Sequence, residues 1–109
     1  MGEDYAVCQL EKAGLKIVIR NYRCPKGEMD IIARDQETLV FVEVRTRKSA
    51  FRGWGEESIT RVKARRLRAV ASFYVLQNGY KSWPEMRFDV IAVRWFEDST
   101  EWHWIKAAL

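Results

Sequence analysis

Residues 39–47 read LVFVEVRTR, and how that stretch is covered decides the fold. Side chains alternate along a strand, so Leu39, Phe41, Glu43 and Arg45 point one way while Val40, Val42 and Val44 point the other. Both faces begin apolar, which marks a strand buried on both sides, as in the centre of an α/β sheet. Glu43 stands where one face turns from apolar to charged.

Working back, EMDIIAR (residues 28–34) is a second strand, joined to the first by a DQE turn at Asp35 to Glu37; so short a link makes an antiparallel hairpin. On this neighbour Glu28, Asp30 and Ile32 fall on one face and Met29, Ile31 and Ala33 on the other. A turn centred near Asp35 or Gln36 sets the position opposite Asp30 between Thr38 and Val42. That is a few residues short of Glu43, so a register shift or bulge is needed to bring the two carboxylates together.

Farther back, Ala6, Val7, Leu10 and Ala13 recur at helical spacing within Glu3 to Ala13, and Gly14 follows where a helix closes. LKIVIRNYR from Leu15 is β-branched and strand-like, and CPKG breaks it. Going forward, KSAFRGWG (residues 48–55) reads as a mobile loop. A helix is expected from about Glu56 to Asn78, closed by Gly79. RFDVIAVRW (residues 87–95) is a fourth strand, and Trp102 to Ile105 a fifth after EDST. The long helix lets the third and fourth strands pair in parallel through a right-handed crossover. The expectation is a single α/β domain over residues 1–109, with a mixed central sheet of about five strands flanked by helices in the order α-β-β-β-α-β-β.

A chain of 109 residues can build such a core without disulfides or metals. Hydrophobic residues at 48% and charged ones at 31% exclude wholesale disorder. The 19 Lys and Arg against 15 Asp and Glu give a net charge of +4, a modest bias toward polyanions. Cys8 and Cys24, with His103, do not make a zinc ligand set. No basic-then-apolar leader opens the sequence, and no apolar run approaches the roughly 20 residues of a membrane span. A cytoplasmic protein is expected, with no membrane partner and no small-molecule cofactor.

Asp30 and Glu43 admit two readings. On a wet sheet face they are halves of cross-strand ion pairs with Arg45 or Arg34. Partly buried together they repel, and each loses several kcal/mol of solvation, which a hard divalent cation offsets.

Along the long helix, at about 100° per residue, Ile59, Leu67, Val70 and Tyr74 form the core-facing stripe, with Lys63 at its centre. Lys63 either snorkels outward along its stem or meets an anion near the sheet. Arg61, Arg65 and Arg68 lie together on the opposite side. They form either a solvated row or a phosphate track that continues Arg47, Lys48 and Arg52, with Trp54 as a stacking surface or a small hydrophobic lid.

GEMDIIARD, VFVEVRTR and RFDVIAV together resemble the strand signatures of the YraN family of bacterial proteins, related to archaeal Holliday-junction resolvases in the PD-(D/E)xK nuclease superfamily. Gly2, Glu3, Ala6 and Leu10 suit the family's opening helix, RNYR its first strand end, and HWIKAAL its closing strand. The resemblance implies a restriction-endonuclease-like core in which Asp30 and Glu43 hold Mg²⁺ or Mn²⁺, with the Val44 carbonyl as a further ligand. It implies Glu3 as an extra acid and Glu28 as the Glu of a GEID-like motif. His103 also matches a family position.

The chain departs from the pattern at Arg45, which stands where lysine is usual; the resemblance implies Lys63 as a replacement ammonium, since some superfamily members take the lysine from a neighbouring helix. Arginine keeps the charge but does not share its proton at neutral pH. The expected activity is metal-dependent hydrolysis of phosphodiester bonds in DNA, on branched or other non-duplex forms. The alternatives are a nucleic-acid-binding module that does not cut, and a scaffold whose Trp83, Trp95, Trp102 and Trp104 mark a partner or homodimer surface.

Overall fold

The computed structural model describes residues 2–48 and 59–109. The elements run α1 (Gly2–Lys12), β1 (Lys16–Cys24), β2 (Gly27–Asp35), β3 (Thr38–Lys48), α2 (Arg61–Gln77), β4 (Met86–Trp95) and β5 (Thr100–Ile105). This is the expected α-β-β-β-α-β-β order. The five strands form one sheet in sequence order, antiparallel except for the parallel β3–β4 pair that α2 connects.

β3 lies at the centre, and the two faces of LVFVEV are buried as its pattern requires. Leu39 and Phe41 join Tyr22, Met29 and Ile32 beneath Leu67, Val70, Ala71, Tyr74 and Val75 of α2. Val40 and Val42 pack with Ile31, Ala33, Ile91 and Val93 against Ala6 and Leu10 of α1. Each such aliphatic or aromatic side chain stabilises the fold by roughly 1.5–3 kcal/mol relative to exposure. Phe41 anchors the first layer, stacked on Phe88 at 5.4 Å and edge-on to Tyr74 at 6.1 Å.

The ends of the helices follow from local chemistry. Glu3 and Asp4 occupy the first turn of α1 and Lys12 its last, each complementing the helix dipole. At its close the Gly14 amide bonds Glu11 O and the Leu15 amide bonds Leu10 O, both at 3.0 Å, and both leucines enter the α1 layer. α2 begins later than its apolar stripe suggests. Thr60 caps it, its Oγ1 accepting from the Lys63 amide at 3.2 Å, so Ile59 precedes the helix and packs on the core from outside it. β5 also starts earlier than expected, at Thr100 rather than Trp102, and residues 56–58, where the helix is expected to begin, lie outside the described residues.

The hairpin register differs from the expected one, and this matters most. The β2–β3 turn is Gln36–Glu37, and the ladder pairs Asp35 with Thr38 through to Ile31 with Val42. Asp30 and Glu43 flank the last of these pairs, so no shift is needed to bring them to the same end of the ladder. The predicted faces of β2 are also corrected. Met29 belongs to the α2 layer with Ile32, whereas Ile31 belongs to the α1 layer. Alternation breaks at Asp30, between the Arg20–Ile31 and Tyr22–Met29 pairs, where Asn21 on β1 adopts φ 53°. A left-handed residue there turns the two-strand ribbon over, so Arg20 reaches α1 while Tyr22 packs under α2.

Candidate functional site

Where β2 leaves β3, the Asp30 side chain takes over the ladder: its Oδ2 accepts from the Val44 amide at 2.7 Å. Glu43, only 8% exposed, sits beside it in the chain and faces α2. Lys63 on the first turn of α2 places Nζ 2.6 Å from Glu43 Oε1, and Arg45 Nε donates to Glu43 Oε2 at 3.2 Å. The first turn of α2 can reach the sheet here because residues after Phe41 stop being bulky and apolar on that face. These groups line a cleft of about 390 Å³ with Gly27, Glu28, Arg66 and Leu67.

The electrostatics favour a cation. Burial pushes the Asp30 pKa above its usual carboxylate value; the Val44 amide opposes this, the charges of Glu3 and Glu43 add to it, and Lys63 opposes it. Glu3, on α1, also carries a strained demand: its Oε1 is buried with no hydrogen-bond partner and stands 3.6 Å from the Arg20 guanidinium. Among the described residues no three His, Cys, Asp or Glu side chains converge as a closed metal cage. Two carboxylates, a backbone carbonyl and an open cleft suit a hard ion that keeps much of its water, and they do not suit a structural zinc. Asp30, Glu43 and the Val44 carbonyl are the groups here that could hold such an ion.

Residues 2–93 match the family described as uncharacterised protein family UPF0102. The chain belongs to that family. A UPF0102 protein of Desulfitobacterium hafniense is 56% identical over 93 residues, covering 85% of this chain and 77% of its own length. One from Herminiimonas arsenicoxydans is 47% identical over 109 residues, 100% of this chain and 83% of its own. A third, from Caldicellulosiruptor saccharolyticus, is 47% identical over 92 residues, covering 84% and 77%. This is the YraN family that the strand signatures resemble. These relatives' names state no chemistry, so the site of this UPF0102 chain is argued from its own geometry.

Of the two readings of Glu43, the ion pair is the one seen directly. Arg45 does pair with Glu43, as the first reading expects, but Asp30 is held by a backbone amide, and Arg34 instead donates to Tyr80 Oη at 3.4 Å. Lys63 is found on the sheet side, meeting the anion. Glu28 is exposed at the cleft mouth and pairs with Arg23 at 3.2 Å. His103 is an exposed residue of β5, opposite Ala92.

Arg61, Arg65 and Arg68 are exposed as expected, but with Ala64 they line a different cleft, of about 360 Å³. The α2 arginine that lines the carboxylate cleft, beside Arg45 of β3, is Arg66, which the sequence reading passed over. Its signal was available, since it lies about 60° round the helix from Lys63, on the flank away from the arginine row. Arg47 is exposed farther along β3, while the Lys48 side chain, Arg52 and Trp54 lie outside the described residues.

The tryptophans divide: Trp83 and Trp102 are exposed, whereas Trp95 and Trp104 pack on the α1 layer. Trp104 belongs to a knot that sequence reasoning also missed. Asp89 is 1% exposed and accepts from Arg87 Nε at 3.0 Å, Trp104 Nε1 at 2.9 Å and the Ala107 amide at 3.0 Å. Asp89 thereby fastens β5 and the chain's end to β4. No helix of the described residues is long and apolar enough to cross a membrane.

Proposed function

We propose that this protein is a metal-dependent DNA endonuclease acting in the cytoplasm, on branched or other non-duplex DNA, with residues 1–109 as one restriction-endonuclease-like domain. The observation that supports the reading is that Asp30 and Glu43, flanking the last β2–β3 ladder pair, line one cleft with Lys63 on the second of them. A Mg²⁺ or Mn²⁺ ion held by Asp30, Glu43 and the Val44 carbonyl would supply Lewis acidity and lower the pKa of a water at neutral pH.

The protein's own groups do the rest. The Val44 amide fixes Asp30 in the cleft, so that little reorganisation is needed when substrate arrives. Lys63, held by Glu43, keeps an ammonium where it can orient water or neutralise charge growing on a phosphate. Arg45 supplies charge and a fork of donors but no transferable proton. Arg61, Arg65 and Arg68, with Arg47, Lys48 and Arg52, carry flanking phosphates, and Trp54 stacks on a base.

A second reading has its own support: both Glu43 oxygens already hold cations, as in a binding module that has given up cleavage. One experiment separates the two. Labelled duplex, single-stranded and four-way DNA are incubated with Mg²⁺, Mn²⁺ or EDTA, beside Glu43→Ala. Cleavage that needs the metal and disappears in Glu43→Ala is the expected result; cleavage that survives the substitution removes this site. Binding without cleavage favours the module, and neither at low salt points to a scaffold.

A further inference from the structure

Among the described residues three cations reach the carboxylate cleft, and they are not equivalent. Lys63 and Arg45 are committed to Glu43, at 2.6 Å and 3.2 Å. Arg66 lines the same cleft, yet among the described residues no anion or hydrogen-bond acceptor engages its guanidinium.

Arg66 is exposed, and its stem passes close to the Gly27 backbone. Gly27, at φ 140°, opens β2, and a Cβ built there would lie 3.3 Å from Arg66 Cγ and 3.4 Å from its Cδ. The arginine's methylenes therefore lie against bare backbone, three residues before Asp30. Any other residue at this position would be strained by its φ and would press on that stem. The absence of a side chain at position 27 thus serves two ends, the turn out of β1 and the passage of Arg66.

An uncommitted guanidinium in a cleft is a receptor for a planar or tetrahedral oxyanion, which it grips with two parallel donors. The protein's net charge of +4 and the second arginine-lined cleft on the other flank of α2 favour an anion that extends beyond this site. We propose that Arg66 is the phosphate-holding residue of the cleft, gripping the nucleic-acid phosphodiester that lies over the Asp30–Glu43 pair, and that Gly27 gives its stem room to do so. The inference rests on the nucleic-acid reading above and narrows it to the cation that touches the phosphate.

The test reads binding rather than cutting. Fluorescence anisotropy in EDTA, with a labelled single-stranded oligonucleotide and a four-way junction, compares wild type, Arg66→Ala, Arg66→Lys and Lys12→Ala, which removes an exposed charge from α1 on the other face of the sheet. Arg66→Ala should weaken binding about tenfold and lower the slope of log K against log salt by about 0.7–0.9, the share of one phosphate contact. Arg66→Lys should recover the slope but only part of the affinity, because an ammonium lacks the fork. Lys12→Ala should change neither.

The inference is overturned when Arg66→Ala binds like wild type, or when Lys12→Ala loses as much. In either case DNA binding by the wild type leaves the broader reading standing. A wild type that binds neither DNA at low salt overturns both.

Discussion

Asp30 stands in for a strand: its Oδ2 accepts from the Val44 amide at 2.7 Å, one step past the last ladder pair, Ile31 with Val42. A carboxylate in a backbone's place is drawn out of solvent, and its charge is what burial resists. This single bond ties the end of one strand to the candidate metal ligands on the next.

The pH dependence follows from it. Burial raises the Asp30 pKa above its unfolded value, so the stability linked to this group is full below the unfolded pKa and lost as pH rises through the folded one. Asp30→Asn keeps an acceptor for Val44 and removes the charge. In EDTA near pH 7 it should melt above wild type, with the gap closing as the pH falls toward about 4. Millimolar Mg²⁺ should raise the wild-type melting temperature and leave the variant unmoved. Thermal melts in stepped buffers check both, and a gap that stays flat with pH would count against the burial argument.

Lys63 and Arg45 share Glu43, but one presents a compact ammonium on a flexible stem and the other a planar fork. Lys63→Ala should lower metal-dependent cleavage by at least about tenfold, within the range of a positioned acid–base group. Arg45→Lys, which restores the usual residue, should cut at least as fast as wild type. Single-turnover rates on the best DNA substrate decide it; a Lys63→Ala protein that cuts like wild type removes the replacement-ammonium idea.

Asp89 gathers Arg87, the Trp104 indole and the Ala107 amide in a dry pocket. Asp89→Ala leaves the guanidinium without this partner and frees the end of the chain. A loss of about 3–5 kcal/mol in urea unfolding is expected, as for other broken buried pairs. Tryptophan fluorescence should report Trp104 moving toward water before the rest of the fold is lost.

Gly2 meets β3 so closely that a Cβ there would fall 1.7 Å from Thr46 Cγ2. Gly2→Ala should destabilise by about 1–3 kcal/mol through overpacking and displace α1 together with Glu3. Thr46→Ser removes the clashing methyl, so the double variant should regain much of the loss. A cycle of urea midpoints checks this coupling, and additive losses would refute it.

The arginine row makes a separate contribution to DNA affinity. Replacing Arg61, Arg65 and Arg68 together by alanine should flatten the salt dependence of binding by about 2–3 in slope, at about 0.9 per duplex phosphate contact. Because all three are exposed and line their own cleft, the urea midpoint should hardly change.

Much of this architecture was legible in the residues. The doubly apolar start of LVFVEV required a central strand, a three-residue turn required a hairpin, and the distance from Lys48 to Met86 allowed a helical crossover to a parallel neighbour. Lys63 on the core stripe was legible too, because the period of a helix fixes which residues share a face. These are local properties, and local sterics and periodicity encode them in the chain itself.

The site needed more than period. The register that brings Asp30 and Glu43 to the same end of the ladder depends on the turn being Gln36–Glu37, one step from where a symmetric reading of DQE centres it. The reversal of faces at Asp30 coincides with a left-handed Asn21 on the neighbouring strand β1, a conformation that alternation does not show. Likewise Arg66, rather than the arginine row, reaches the cleft because of how α2 is rotated on the sheet, with Thr60 setting its start. By itself the sequence determined the elements, their order and the faces that β3 and α2 bury. Tertiary structure alone decided which charges meet, because register and helix rotation are settled by the packing of the whole core, and one residue of slip would part every pair in the site.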